Sequence, residues 1–424
     1  MTIRETLAEL GEDRVPESLS EDWATSMNEM PSDLACLLDP KVIAESRAFA
    51  GLPASMDALL GETLAAIQES PALKRLFWHT YRCAYLGSHF PSFEDWPALE
   101  NALGGKRRLF YLIVALDSIP LTRTRHRKLH VSKKITLDTC RDIALKCESC
   151  AILEPNLPGL QPHELNWLRR HVNGEVFTLG RFQYGRYPYR GGAEVFRNDT
   201  DDQVLALAPP DQRYDAHGFQ LSDGEPLSPG GWISRLTVGE GDIRGHPISP
   251  RGFVLPTEIT LPAGLWRRIL STGDPVLEIH IPAGGEMTPD KCLASLKQAD
   301  RFYRKIFSGR LFRAFVCYGW CLGPRMNDIL HPSSNIIRFR RQGYLFPVCD
   351  SSNGSLRFIF GTDTPATQPV PRDTRLRRNI IEYLEQGGNL TNGAMFLLPE
   401  DLPRYGNEPY LTRWGTFEKQ LDDL

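Results

Sequence analysis

Two rhythms divide the chain. Up to about Val172 the apolar residues recur every three to four positions, and beyond Asn173-Gly174 many of them alternate. The first spacing lines one face of an α-helix, the second one face of a strand. Leu34, Leu37 and Leu38, then Val42–Phe49, Met56–Ile67 and Leu73–Tyr85 read as helical, punctuated by Pro40, Pro53 and Pro71. His89-Phe90-Pro91 reads as a loop. Gly105–Leu116, Ile135–Cys150 and Pro162–Val172 complete the helical set, and the polar residues 1–20 are expected to fray.

Asn173-Gly174 is a turn signal, so the chain divides into 1–173 and 174–424. The second part reads as strands at Val176–Tyr184, Glu194–Val204, Phe253–Leu261, Val276–Ile281, Leu311–Trp320, Ile336–Phe346 and Leu356–Phe360. Asp223–Gly231 and Thr237–Arg251 read as loops, and Thr374–Gln386 as a closing helix. The class this predicts is α+β: a helical N-terminal domain followed by a mixed β-sheet flanked by helices.

The stretch from Val276 to Leu330 carries the chemistry. In Val276–Ile281 the residues Leu277, Ile279 and Ile281 take one face, and Glu278 and His280 the other. Pro282 has no N–H and ends the ladder. Ala283-Gly284-Gly285 lets backbone amides approach a ligand. Thr288 and Pro289 are expected as N-cap and first residue of a helix through Phe307, whose free N–H groups favour an anion. A phosphate-bearing ligand beside an acid/base pair fits this order. A neutral histidine is the usual base near neutral pH, although a histidine on a strand also serves often as a plain hydrogen-bonder.

Composition narrows the classes. With 424 residues and 41% hydrophobic side chains, one large or two to three ordinary domains can form. A net charge of −3 gives no wholesale attraction to nucleic acid or membrane. Met1–Leu10 lacks a secretory pattern, and the apolar run Leu109–Leu116 is too short to span a bilayer, so a cytoplasmic protein is expected. Nine irregularly spaced cysteines suit free thiols. Cys147 and Cys150 have no second ligand pair for zinc, and no metal is expected. No G-x-S-x-G, Walker loop or HExxH is present.

The segments L-N-W-L-R-R-H (Leu165–His171), L-G-R-F-Q-Y (Leu179–Tyr184), E-I-H-I-P-A-G-G (Glu278–Gly285), F-V-C-Y-G-W-C-L (Phe315–Leu322) and S-S-N-I-I-R-F (Ser333–Phe339) resemble a bacterial two-domain acyltransferase family. Its members join a helical N-terminal domain to a GNAT-like C-terminal one. The resemblance covers roughly residues 20–390. It implies an N-acyltransferase using an acyl-CoA, with Glu278 and His280 as base and Tyr318 as the acid for the leaving thiol. It also implies donor contacts from Ile281, Ala283, Gly284, Gly285, Met287, Ser334 and Asn335. Arg181, Gln183 and Trp320 would face a small-molecule amine acceptor, with Arg181 able to grip a carboxylate. Tyr318 as a core residue, Arg181 as a structural one, and Ser334 and Asn335 as caps of the following strand are the plainer readings.

One departure stands out. The R/Q-x-x-G-x-G/A phosphate loop of better-known GNAT proteins is replaced by Pro282-Ala283-Gly284-Gly285-Glu286-Met287, and an acid beside a pyrophosphate is unexpected. A carrier-protein phosphopantetheine thioester or an aminoacyl-tRNA therefore stays open as donor, as does a non-catalytic acyl-CoA-binding role. The basic run Arg123, Arg125, His126, Arg127, Lys128, His130, Lys133 and Lys134 is the candidate dock for an acyl carrier protein, the CoA 3′-phosphate or tRNA. It reads equally as a solvated loop between helices. Cys317 as the nucleophile of a thioesterase is the remaining alternative.

Overall fold

The computed structural model describes residues 2–87, 90–154, 156–222, 224–309, 311–349, 353–360, 362, 365, 367 and 370–422. The expected loops at His89 and Asp223 start on residues outside that set. The chain forms two compact units, Met1–Leu179 with Pro282–Gly284, and Gly180–Ile281 with Gly285–Leu424.

The first unit opens with α1 (Ile3–Glu9). The Glu5 amide donates to Thr2 Oγ1 while the Thr2 amide donates to the Glu5 carboxylate, a reciprocal capping box. With Leu7 and Leu10 buried, these residues are anchored rather than frayed. Next come α2 (Pro40–Ala50), α3 (Asp57–Glu69) and α4 (Pro71–Tyr85). Asp39 and Ser70 cap α2 and α4, with proline at the first helical position of each. Prolines that punctuate the sequence thus open helices, where a missing N–H costs nothing. α5 (Arg107–Asp117) is buried from Arg108 to Asp117. A helix apolar on every side has no surface to offer water and becomes the centre of its bundle.

α6 (Ile119–Lys128) and α7 (Lys133–Cys140) follow, then α8 (Asp142–Leu153) and α9 (Glu164–Val172). The basic run is therefore not a loop: Arg123–Lys128 is the second half of α6, and only residues 129–132 link it to α7. Pro120 sits in the first turn, and cations gather at the C-terminal end, where the helix dipole favours them. β1 (Val176–Leu179) packs against α7, and the Thr178 amide donates to Thr139 Oγ1 at 3.0 Å.

The second unit contains β2 (Phe182–Pro188), β3 (Glu194–Asn198), β4 (Val204–Leu207), β5 (Pro247–Ser249), β6 (Phe253–Val254), β7 (Trp266–Leu270) and β8 (Pro275–His280). After them come α10 (Pro289–Ile306), β9 (Phe315–Gly319), α11 (Asn335–Arg340), β10 (Tyr344–Phe346), α12 (Asn353–Phe360), α13 (Arg375–Glu385), β11 (Gly393–Leu397) and α14 (Pro409–Asp422). Within this unit the main sheet runs β2-β8-β9-β11-β10, and only β8–β9 is parallel. A parallel pair needs a crossover, and α10 supplies it. The second sheet runs β6-β5-β4-β3-β7.

Alternation decides what each face meets. Phe182 and Tyr184 of β2 lie under α10, where Ser295 Oγ is 2.9 Å from the Tyr184 hydroxyl and Tyr303 donates to the Tyr184 carbonyl at 2.6 Å. The other face carries Val276, Val316, Phe346 and Phe396, which share a core with Val195, Ala206 and Ile248 of the second sheet. Phe196, Leu205 and Leu207 point the opposite way and pack with Trp414 of α14. β3 and β4 are thus buried on both sides.

Several expected elements change. Val176–Tyr184 is not one strand but β1 and β2 with a Gly180-Arg181 turn, Gly180 taking φ +71°. Thr237–Arg251 contains three short strands, Leu236–Val238, Asp242–Gly245 and β5. Ile336–Phe346 is α11 followed by β10, and Leu356–Phe360 belongs to α12. Ser334 settles the former: its Oγ accepts from the Ile337 amide at 3.3 Å and starts a helix through a β-branched pair that reads as strand. β11 and α14 have no counterpart in the sequence reading.

Candidate active site

The parallel pairing of β8 with β9 ends at Ile279–Cys317. His280 and Tyr318 each stand one residue past that rung. By alternation both lie on the face that carries Glu278. Gln183 of β2 pairs with His280 in register and shares the face, as does Tyr187, whose ring meets the imidazole edge-on at 6.2 Å. The strands thus gather a carboxylate, an imidazole and two phenols where two parallel strands cease to pair.

Glu278 is the hub. Its Oε2 lies 3.4 Å from Arg190 Nη2, and its Oε1 lies 3.6 Å from His280 Nε2. The second distance is longer than a hydrogen bond but within ion-pair reach. The Glu278 side chain is mostly buried, which strengthens both interactions relative to water. Burial first, then the charge of Glu278, push the Tyr318 phenol up to about 12, against a smaller pull from the Arg190 main chain. Tyr318 therefore carries its proton throughout the neutral range.

Past β8, Gly284 and Gly285 take φ +70° and +67°. A Cβ on either would be strained there, and with no side chain the backbone can come close to a ligand. Thr288 is the N-cap of α10 by backbone conformation, with Pro289 first in the helix, yet no side chain caps the first turn. Glu286 is not a bare acid beside this turn: Lys291 Nζ lies 2.9 Å from its carboxylate and holds its pKa below the usual range.

The other sequence candidates fall elsewhere. Arg181 is in the turn before β2 rather than on the strand, and a Cβ built on Gly285 would sit 3.6 Å from its Nε. It belongs beside the glycine turn, not on the face of His280. Trp320 opens a single 3-10 turn, Trp320–Leu322, and packs against the apolar cluster of Met326, Ile329 and Ile337. Ser334 is the N-cap and Asn335 the first residue of α11, not caps of a strand. Ile281, Ala283 and Met287 flank the glycines in the chain, with Ala283 exposed.

Cys317 is buried on the face opposite His280, and burial pushes its thiol well up. The thiolate is the nucleophile in thiol chemistry, so the thioesterase alternative loses its residue. Cys147 and Cys150 are buried thiols on α8, and among the described residues no group of three or more His, Cys, Asp or Glu could hold a metal. Arg190 and Tyr187 are the functional candidates the sequence reading missed. The period-two rule extended from Gln183 would have found Tyr187, whereas Arg190 lies beyond the strand end and had no such signal.

The profile of the GNAT-like C-terminal domain family matches residues 176–397, more than half of the chain, and that of the N-acyltransferase N-terminal domain matches residues 44–174. The chain belongs to the GNAT-like acyltransferases. This acyltransferase also shares its fold with solved structures. One is an acyltransferase in complex with decanoyl-CoA, at 19% identity and TM-score 0.58, covering 94% of this chain and 100% of that one. Another is an acyltransferase in complex with decanoyl-CoA and teicoplanin, at 19% identity and TM-score 0.57, covering 94% and 99%. A third holds CoA and 10C-teicoplanin, at 18% identity and TM-score 0.56, covering 94% and 99%. No curated protein matches this acyltransferase in sequence.

Proposed function

We propose that this acyltransferase moves an acyl group from an acyl-CoA thioester to the amine of a small-molecule acceptor by direct attack. The observation that carries the reading is the placement of His280 and Tyr318 on one face, just past the last rung of the β8–β9 pair. A backbone N–H at this strand end would polarise the thioester carbonyl. The acceptor nitrogen attacks the carbonyl carbon, and His280, beside the Glu278 carboxylate, takes the proton. The tetrahedral intermediate then expels the sulfur, leaving an amide and CoA.

Tyr318 has a defined part in the last step. A thiol is a stronger acid than a phenol held at about 12. Tyr318 thus steadies the leaving sulfur by donating a hydrogen bond, and complete proton transfer comes from the imidazolium or solvent. Gln183 and Tyr187 share the acceptor side of the face. On the donor side, Gly285 and the start of α10 suit a pyrophosphate, with Glu286 neutralised by Lys291. The fold relatives hold decanoyl-CoA and CoA, which favours free CoA over a carrier protein or tRNA. All nine cysteines are free thiols, as a reducing, cytoplasmic setting would keep them.

A thermal-shift titration with CoA, acetyl-CoA and longer acyl-CoAs tests the donor, because a ligand of the folded state must raise apparent stability. A concentration-dependent rise in Tm is expected. No rise with any of them would remove free CoA as the donor.

A further inference from the structure

Arg340 is the last residue of α11, and only 2% of it is exposed. None of its three guanidinium nitrogens has a hydrogen-bond acceptor, and no carboxylate among the described residues pairs with it. Burial pushes its pKa down to about 10, with the Cys321 thiol as the one ionisable group opposing that shift. The side chain is therefore still a cation at neutral pH. A buried, uncompensated charge costs several kcal/mol. A buried polar group with no partner in the chain calls for a ligand, an ion or a water to complete it.

Its position says what that is. Phe339 stacks on Phe182 with ring centroids 5.2 Å apart, and α11 contacts α10, so α11 lies on the α10 face of the main sheet. Cys321 stands two residues past the end of β9, and the Gly284-Gly285 turn follows the end of β8. Those strands are parallel, so both features are at the same end of the sheet. A guanidinium offers five N–H donors in a fork that matches an oxyanion with two or more oxygens, and a single amide carbonyl would leave most of them empty.

We propose that Arg340 is a phosphate-binding residue, completed by an oxyanion of the donor's CoA. This rests on the acyl-CoA reading above. The phosphoryl group can come from the pyrophosphate or the 3′-phosphate, and the ligands chosen for the test separate them.

The test is calorimetric titration of wild type and Arg340→Met with CoA, 3′-dephospho-CoA, pantetheine and inorganic phosphate, beside a ligand-free melt. Arg340→Met is expected to bind CoA about 10- to 100-fold more weakly, the usual worth of a charge-assisted contact. Pantetheine, which has no phosphate, should bind both proteins alike. The ligand-free Tm of the variant should not fall, since an unpaired buried charge has been removed. If the difference persists with 3′-dephospho-CoA the pyrophosphate is held, and if it vanishes the 3′-phosphate is. Equal CoA affinity in both proteins, or equal weakening for CoA and pantetheine, would overturn the assignment. So would a wild type that binds no form of CoA, whether or not it binds inorganic phosphate; only in that case does the acyl-CoA reading fail as well. Should Arg340→Met not fold, Arg340→Gln is read in its place, and Arg340→Lys, which keeps the charge but not the fork, should restore only part of the CoA affinity.

Discussion

In the proposed reaction His280 takes the proton that must leave the attacking amine, so its loss should cost most. His280→Ala is expected to lower kcat/KM by about 10²- to 10⁴-fold, the range for general-base removal, while acyl-CoA still binds. Glu278→Gln should cost less, because the imidazole remains. Undiminished turnover in His280→Ala would remove the base. Tyr318→Phe should reduce kcat by roughly 10-fold or more, within the worth of one hydrogen bond to developing charge. With its phenol raised to about 12, Tyr318 stays protonated below that pH and is lost as an acid only above it. A pH–rate profile should therefore show no alkaline decline from Tyr318 below about pH 11, and such a decline that disappears in Tyr318→Phe would contradict its assignment. Away from the site, Asp117 is 3% exposed, and neither carboxyl oxygen has a hydrogen-bond partner. Burial, then the charge of Asp39, hold its pKa well above the usual value. A raised acid pKa gives stability that is full below the unfolded value and declines as pH rises through the folded one. Asp117→Asn should therefore melt higher than wild type at pH 8, with the gap closing as pH falls to about 4; a lower Tm at pH 8 would show that the carboxylate is used.

At the scale of elements, β8, the glycine turn and α10 were legible because local signals agree: alternation, then Pro282, then Gly284-Gly285, then Pro289. α11 and α12 were not. Ile336-Ile337 and Leu356–Phe360 have strand composition, but the Ser334 cap and the surrounding apolar cluster overrule it, as tertiary context often does. β11 was invisible for the opposite reason. Gly393-Ala394-Met395-Phe396-Leu397 has weak strand propensity, and its place between β9 and β10 comes from pairing partners distant in sequence. That place leaves no room at Gly393, where an added Cβ would press on the Leu322 carbonyl. Gly393→Ala should cost about 1–3 kcal/mol, as overpacking does, seen as a Tm several degrees lower. An unchanged melt would show that the turn after β9 can shift.

For the whole molecule, the sequence set out a helical part and a mixed-sheet part, but could not tell which polar residues would share a face. Glu278, His280 and Tyr318 come together through the β8–β9 register, whereas Arg181 and Trp320 are drawn to the glycine turn and an apolar cluster. The basic run is partly spent on structure. Arg125 donates to Asn173 Oδ1 and the Tyr85 carbonyl, Arg123 lies over Phe49, and Lys134 pairs with Asp138. Charge reversal at Arg125 would therefore disturb the fold as well as any docking. Among the described residues no helix is long and apolar enough to cross a membrane. Cys317→Ser should keep full transfer activity, since its thiol is buried on the far face from His280.

The central claim is that amine attack on an acyl-CoA thioester takes place at His280. Release of free CoA, followed on mixing an acyl-CoA with a panel of primary amines, tests it most directly. Release that depends on the amine and is lost in His280→Ala is the expected result. Release that proceeds equally without any amine, or that His280→Ala leaves unchanged, would contradict it.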